Sequence, residues 1–409
     1  MEPLDKRKLR WGILGTGRIA KDFCAAIVAA GDTNEIAMVA GRRPNAAKEM
    51  AETYGGRPST VEGGGAYEQL ERADDVDVVY VAVVHKFHKE HILRSLVCGK
   101  HVLCEKPMCL NAAETRAVVA AARVAGRLLV EGHWTQCWPA AREARTLIRN
   151  GAIGELVAIA SDFSYPNKID ASNTECQNEV GGGATMFVGP YPLCAALRSL
   201  GKPEEVHAVG SLAKPTPAGV IDTAAAVTMR FAGGRLAVAT YGWASEGAQQ
   251  TTMMGTHGKI TLPQPAQAPT VLKLTAKKDG QDEPTEEVRE FPLPKHPPGL
   301  PPLLYPNAEG QVYQVRAVEE AIRRGETECE HMPLDASMHL AETMDNVRAQ
   351  LGVAFAKDGL RARLAARLAP SRRALAPACL TFGAICAVSL TSALAGAFLT
   401  AATARGAPV

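Results

Sequence analysis

The chain has 409 residues, with 45 Lys and Arg against 43 Asp and Glu, a formal net charge of +2. That length allows two or three domains with full cores, and 46% apolar with 22% charged residues excludes a disordered or fibrous chain. A near-neutral total also argues against nucleic acid as a partner, because phosphate binders gather a basic excess. The balance is uneven along the chain. Residues 359–409 hold six arginines and no acid or lysine, which leaves 39 basic against 43 acidic residues in the body, −4. Ten cysteines fall at irregular spacings without a CxxC pair, the usage of free thiols in a reducing compartment. The charged start MEPLDKRKLRW has no apolar stretch of the kind a secretory signal needs. Both features point to a cytoplasmic body.

The first 130 residues alternate strand and helix signals, as a parallel α/β sheet requires. Strands are predicted at Leu9–Leu14, Glu35–Ala40, Asp77–Val84, His101–Cys104 and Leu128–Val130, with helices at Ile19–Ala30, Asn45–Tyr54, Lys89–Val97 and Ala112–Ala125. DVVYVAVV at 77–84 has the continuous β-branched character of a strand buried on both faces. From residue 133 the pattern changes. A helix at Ala140–Arg149 leads into strands at 156–163, 204–211, 223–231, 235–241 and 249–254, and a Gly-Thr-His-Gly turn joins the last to Lys259–Leu262. This run predicts a second, α+β domain with a mostly antiparallel sheet. Residues 292–306 contain seven prolines, too many for a helix or strand interior, and read as a loop of polyproline character, a linker in preference to a partner-binding segment. Helices at Glu309–Arg324 and Asp335–Leu351 close the body, the first with Val312, Val315, Val318 and Ile322 on one stripe. The expected divisions are 1–132, 133–358 and a tail, 359–409.

After the first strand comes Gly15-Thr16-Gly17-Arg18-Ile19-Ala20. Glycine at 15 allows a tight turn, and glycine at 17 lets backbone approach a pyrophosphate held at the helix N-terminus. With a strand before it and a helix after it, this is a dinucleotide fingerprint. The second strand ends in Gly41-Arg42-Arg43 with no acid. An acid there would bond a ribose 2′-hydroxyl, whereas arginine suits a 2′-phosphate, so NADP is favoured over NAD.

The predicted strand His101–Cys104 runs into Cys104-Glu105-Lys106-Pro107, and a glycine run follows at Gly181-Gly182-Gly183. Together with the fingerprint, these segments resemble the glucose–fructose oxidoreductase/inositol dehydrogenase family, and within it the dihydrodiol dehydrogenase branch. RWGILGTGRIAKDF (10–23), VLCEKPMCLNAAE (102–114), EGHWTQCWPA (131–140), GVIDT (219–223), GTHG (255–258) and VRAVEEAIRRG (315–325) carry the resemblance, which runs from residue 9 to 357. It implies a Rossmann domain followed by a domain whose large open sheet serves dimerisation, and hydride transfer between a nicotinamide and a carbinol carbon of a sugar or trans-dihydrodiol. It also implies that Lys106 and Tyr191 are catalytic, that Glu105 and His88 lie on the nicotinamide side, and that Trp134 and Phe163 wall the substrate pocket, with core packing the plainer role for both aromatics. A lysine ammonium stabilises an alkoxide and can lower the pKa of a neighbouring tyrosine. His85, His88 and His91 form an HxxHxxH run, but residues at i, i+3 and i+6 on a helix diverge and no nearby Cys or acid completes a set, so a metal is not expected.

Three departures accompany the resemblance. Phe187 stands in the pocket where the family has an aspartate; Tyr191 lies between Pro190 and Pro192, which disfavour helical backbone before them; and Gln136 and Lys86 replace an Arg and a Pro of the dihydrodiol branch. They keep open an alternative function, a catalytically impaired NADP-binding protein with a structural, sensing or tethering role. Residues 374–404 carry no charged side chain. That stretch could anchor in a membrane, pack on the body as an amphipathic helix, or extend without order.

Overall fold

The structure, a computed structural model, describes residues 7–217, 219–277 and 283–369. The first part is built from β1 (Leu9–Leu14), α1 (Arg18–Ala29), β2 (Asn34–Ala40), α2 (Pro44–Tyr54), β3 (Arg57–Pro58), α3 (Gly65–Glu71), β4 (Val78–Val81), α4 (His88–Val97), β5 (His101–Glu105), α5 (Ala112–Ala125) and β6 (Leu129–Gly132). The strands pair in the order β3-β2-β1-β4-β5-β6, all parallel. Strand order reverses between β1 and β4, which opens a crevice at their carboxyl ends. Helices cover both faces, so all four β4 side chains are buried. Trp11, Phe23 and Tyr80 pack in series on one face, with ring centroids 5.3 and 3.9 Å apart. α5 begins where its sequence predicts because Asn111 Oδ1 accepts from the Glu114 N–H at 2.9 Å, and it ends at left-handed Gly126.

The second part comprises α6 (Pro139–Arg149), β7 (Leu156–Ser164), α7 (Ala184–Phe187), α8 (Pro190–Leu200), β8 (Glu205–Thr216), β9 (Gly219–Arg230), β10 (Leu236–Gly242), β11 (Thr251–Gly255), β12 (Gly258–Leu262), β13 (Val271–Ala276) and β14 (Thr285–Glu290). These strands form an eight-stranded sheet, β14-β13-β12-β11-β7-β10-β9-β8, antiparallel except for β7 with β10. α6 and α8 pack against one face together with α10 (Leu334–Leu351), which follows α9 (Gln311–Arg323) and precedes α11 (Leu360–Leu368). The opposite side exposes Val157, Val209, Leu236, Val238 and Val288. α9 returns to the first sheet. Val315, Val318 and Ile322 enter its core beside α1, and Glu319 accepts from Asn34 Nδ2 at 2.6 Å.

The α/β architecture with two sheets is as expected from the sequence, with local differences. β13 and β14 were not foreseen. TEEVRE in β14 is a charged edge strand whose side chains are mostly exposed, so hydrophobic alternation cannot mark it. α8 was hidden by Pro190 and Pro192, yet both fall in its first turn, where a missing N–H breaks no helical bond. β4 is shorter than the apolar run 77–84 because the chain leaves the sheet at Ala82, whose carbonyl lies against Gly15. Residues 292–306 carry no helix or strand, as predicted. Residues 374–404 lie outside the described residues, and among the described residues no single helix is long and apolar enough to cross a membrane.

Candidate active site

The crevice between β1 and β4 is shaped by glycines. Gly15 has φ +113°, and a Cβ there would clash with the Ala82 carbonyl, so only glycine makes this turn. Gly17 faces open space as the N-cap of α1, with no capping side chain and no acid in the first turn. The first N–H groups of α1, at Arg18 and Ile19, are therefore left to a ligand, and the helix dipole favours an anion there. Thr16 packs against Gly41 at the end of β2. Beyond it Arg42 and Arg43 line an open cavity of about 810 Å³, shared with Thr16, Lys21 and Pro301. These residues fit a dinucleotide whose pyrophosphate lies at α1 and whose ribose reaches two arginines.

The proline-rich segment belongs to this cleft. Leu304 and Tyr305 donate their N–H groups to the Asp22 carboxylate at 3.0 and 2.9 Å, and the Arg18 guanidinium sits 5.1 Å from the Tyr305 ring centre. A run read as a linker is thus strapped to the first turns of α1. Asp22 and Tyr305 are site residues that sequence reasoning missed; the one available signal was an aspartate on an otherwise apolar helix face.

Lys106 follows the last residue of β5, before a cis peptide to Pro107. Its Nζ donates to the Phe187 carbonyl at 2.6 Å and lies 4.9 Å from the Tyr191 ring centre and 5.8 Å from that of Phe187. Burial holds the ammonium below the usual lysine pKa, opposed by the charges of Glu105, Glu175 and Glu131. The Tyr191 hydroxyl accepts from Trp134 Nε1 at 3.1 Å, and its ring meets Phe163 edge-on at 5.0 Å. Lys106, Tyr191, Trp134, Phe163 and Phe187 therefore converge on one site. Tyr191 points inward because it occupies the first turn of α8, so the flanking prolines do not divert it.

Two expectations are corrected. Lys106 does not bring the Tyr191 phenol below its ordinary pKa: burial pushes it well above that value, and the Glu105 charge adds to this. His88 does not face the cleft. It is fully buried, and its ring nitrogens lie 3.0 Å from the Pro107 carbonyl and 2.9 Å from that of Val83, with burial pushing its pKa down to about 4. It ties the end of β4 to the Lys106–Pro107 step. His85 contacts Phe187 instead, at 4.5 Å between ring centres, and His91 pairs with Glu71 at 2.8 Å. Glu105 accepts from the Tyr80 hydroxyl at 2.6 Å and from the Lys106 N–H at 3.3 Å.

Two further carboxylates hold the site in place. Glu131 accepts from the Met108 N–H at 2.9 Å and is pushed up to about 7 by burial. Asp222 accepts from both the N–H and the hydroxyl of Thr185 at 2.7 Å and so fixes α7, which ends at the Phe187 carbonyl. Gly183, at φ +123°, is where the chain passes Asp222, and a Cβ there would stand 2.5 Å from Oδ1.

Residues 9–133 match the oxidoreductase family with an NAD-binding Rossmann fold, and residues 141–261 match the GFO/IDH/MocA C-terminal domain. A trans-1,2-dihydrobenzene-1,2-diol dehydrogenase of Danio rerio is 31% identical over 353 residues, 86% of this chain and 99% of that protein. The chain belongs to the GFO/IDH/MocA oxidoreductases. The Bos taurus protein of the same name is 32% identical over 353 residues, again 86% of this chain and 99% of that one. Among solved structures, a 3-ketoreductase from Actinomadura kijaniata, in complex with NADP and TDP-benzene, matches with a TM-score of 0.69 at 27% identity, covering 84% of this chain and 97% of that one. A levoglucosan dehydrogenase complexed with NADH and levoglucosan shares the fold, with a TM-score of 0.73 at 19% identity over 83% of this chain and 96% of that one. This GFO/IDH/MocA protein is thus an oxidoreductase whose Rossmann domain is of the NAD(P)-binding kind.

Proposed function

We propose that the protein is an NADP-linked dehydrogenase acting on a secondary alcohol, or the corresponding ketone, of a cyclic diol or sugar. The observation that carries this reading is the placement of the Lys106 ammonium against Tyr191 inside an aromatic wall, at the carboxyl end of the parallel sheet. Residues 1–132 hold the dinucleotide, through Gly15, Thr16, Gly17, Arg18 and Ile19 at the pyrophosphate and Arg42 and Arg43 at the 2′-phosphate. Glu105 supports Lys106 from behind. Residues 133–358 present the substrate, with Trp134, Phe163 and Phe187 excluding water.

When bound, the nicotinamide accepts or returns a hydride at the carbinol carbon. The chain's own residues manage the proton. Trp134 occupies a lone pair of the Tyr191 oxygen, which leaves the phenol proton free to point at a substrate oxygen. A neutral phenol donates, so the site is set for carbonyl reduction near neutral pH, with alcohol oxidation as its alkaline reverse. Lys106 lowers the cost of negative charge on the same oxygen. Dimerisation through the outer face of the large sheet is part of this reading, supported by the exposed apolar side chains of Val209, Leu236 and Val238. The test is full-length protein with NADP and trans-1,2-dihydrobenzene-1,2-diol or a panel of aldopyranoses, followed at the reduced-nicotinamide absorbance. NADPH binding without turnover of any diol, sugar or derived ketone would refute it and favour the impaired-binder alternative.

A further inference from the structure

Behind the Tyr191 wall lies a second, smaller cavity between α6, α8 and the sheet, of about 30 Å³, room for two or three water-sized groups. Its walls include Phe163 and Tyr191 on the active-site side, and Arg145 and Arg198 on the other. Arg145 is held in place by Gln136, whose side-chain oxygen and carbonyl accept from its two terminal nitrogens at 2.9 and 2.7 Å. Arg198 donates one terminal nitrogen to the Glu330 carbonyl at 3.1 Å, while its Nε is shut off from solvent and has no partner.

Among the described residues neither arginine has a carboxylate within 4 Å. The one acid on the cavity wall, Asp162, is engaged by Ser164, Thr240 and the Gln249 N–H. Arg142, exposed one turn before Arg145 on α6, adds a third positive charge to the neighbourhood. Two half-buried guanidiniums on the wall of one cavity without a counter-ion is a costly arrangement, since burial and the charge of Arg198 both disfavour the charged form of Arg145 and the Arg198 Nε lacks a partner. The nearby thiols of Cys137 and Cys194 cannot serve, since burial raises both pKa values and keeps them neutral.

We propose that Arg145 and Arg198 form a binding site for a small monovalent anion of the halide or carboxylate class. The cavity is too small for a nucleotide or a folded partner but sufficient for chloride, formate or a terminal carboxylate. The anion has two possible sources. It is either a free ion that buttresses α6 and α8 behind Tyr191, or the carboxylate of an acidic sugar whose ring lies on the other side of Phe163 and Tyr191. The arginine pair would hold it whether or not the site turns over a diol.

The test uses the full chain at constant ionic strength made up with a bulky sulfonate that the cavity excludes. Sodium formate and sodium chloride are titrated by thermal unfolding and calorimetry, beside sodium glucuronate and uncharged glucose. Saturable stabilisation of roughly 3–5 °C at a hundredfold excess over Kd supports the site. Binding of formate or chloride identifies the free ion as the source, and binding of glucuronate alone, competed by formate, identifies an acidic substrate. Arg198→Gln and Arg145→Gln weaken binding ten- to a hundredfold, whereas Arg142→Gln leaves it within about threefold. No saturable shift with any of these anions, in wild-type protein that unfolds cooperatively, overturns the proposal. So does an undiminished shift in a folded Arg198→Gln variant.

Discussion

Replacing Lys106 by methionine keeps an unbranched chain of nearly the same length and removes the charge together with its hydrogen-bond donor. The ammonium lies 4.9 Å from the Tyr191 ring centre, and the magnitude is worked for a reacting oxygen about 5 Å from the charge. At about 5 Å and an effective dielectric near 20, a full negative charge on that oxygen gains roughly 3 kcal/mol from Lys106, or about 200-fold in rate. Lys106 also donates to the Phe187 carbonyl at 2.6 Å, so its loss leaves that acceptor unpartnered and brings the expected fall in kcat to between 200-fold and a few thousandfold. NADP affinity should change by less than threefold, because pyrophosphate and ribose are held at α1 and β2. The assay is steady-state turnover with the diol, paired with NADPH fluorescence titration. If Lys106 and Tyr191 act on one oxygen, Lys106→Met combined with Tyr191→Phe should cost little more than the worse single change. A Lys106→Met enzyme with kcat within fivefold of wild type would refute the assignment, as would strictly additive losses.

Other outcomes follow from the same geometry. Arg42→Ala with Arg43→Ala should raise KM for NADP by ten- to a hundredfold and leave KM for NAD nearly unchanged. Gly183→Ala places a Cβ 2.5 Å from Asp222 Oδ1 at a φ of +123° and should cost about 2–4 kcal/mol in urea unfolding, with a fall in kcat as the Phe187 carbonyl moves. Glu131 is raised in the fold from 4.5 to about 7, so its contribution is fully present below its unfolded pKa and is lost as pH rises through 7. Wild-type protein should therefore lose up to about 3 kcal/mol between pH 4.5 and 7 that Glu131→Gln does not lose; equal slopes in denaturation curves would show Glu131 ionised throughout. Phe187→Asp puts a carboxylate beside the ammonium and should move the alkaline limb of kcat upward by about one pH unit; an unmoved limb would mean that the limb does not report Lys106.

What the sequence makes legible is what local chemistry dictates. Gly15 announces the turn before α1 because no other residue makes it, Gly17 because a bare N-cap leaves open space for a ligand, and Asn111 with Glu114 marks the start of α5 to the residue. The stripe Val315, Val318, Ile322 shows that α9 is buried, but not that it crosses back to the first sheet, since periodicity names a buried face and never its partner. Lys106 and Tyr191 are reached only through the family resemblance, since a lysine at a strand end and a tyrosine between prolines carry little signal by themselves. The site is illegible where a residue acts through backbone. Asp222 sits in GVIDT as a lone acid in an apolar strand, and only the fold brings it to the Thr185 N–H. Asp22 and the prolines before Tyr305 are about 280 residues apart in the chain, and no spacing rule connects them. Tyr191 was obscured by an accurate local rule about residues before proline, outweighed here by the free N–H positions of a helix's first turn.

Phe187 is where sequence and structure lead to opposite conclusions about activity. By the family pattern, losing a carboxylate beside Lys106 removes a partner and argues for impairment. In the structure, the backbone carbonyl of the same residue accepts from the ammonium at 2.6 Å, so Lys106 keeps its position. A carbonyl orients a charge without neutralising it. Lys106 has no carboxylate within 4 Å among the described residues, and the acids around it act only from farther away. A carboxylate in contact would stabilise the ammonium in the ground state and offset part of its attraction for a developing alkoxide, whereas a neutral acceptor leaves that attraction to the reacting oxygen. Catalysis depends on interactions stronger in the transition state than before it, and on that criterion Phe187 is compatible with an active enzyme. The side chain then acts separately from the carbonyl. Packed against His85 and facing Trp243, it offers an apolar surface where the family offers an acceptor.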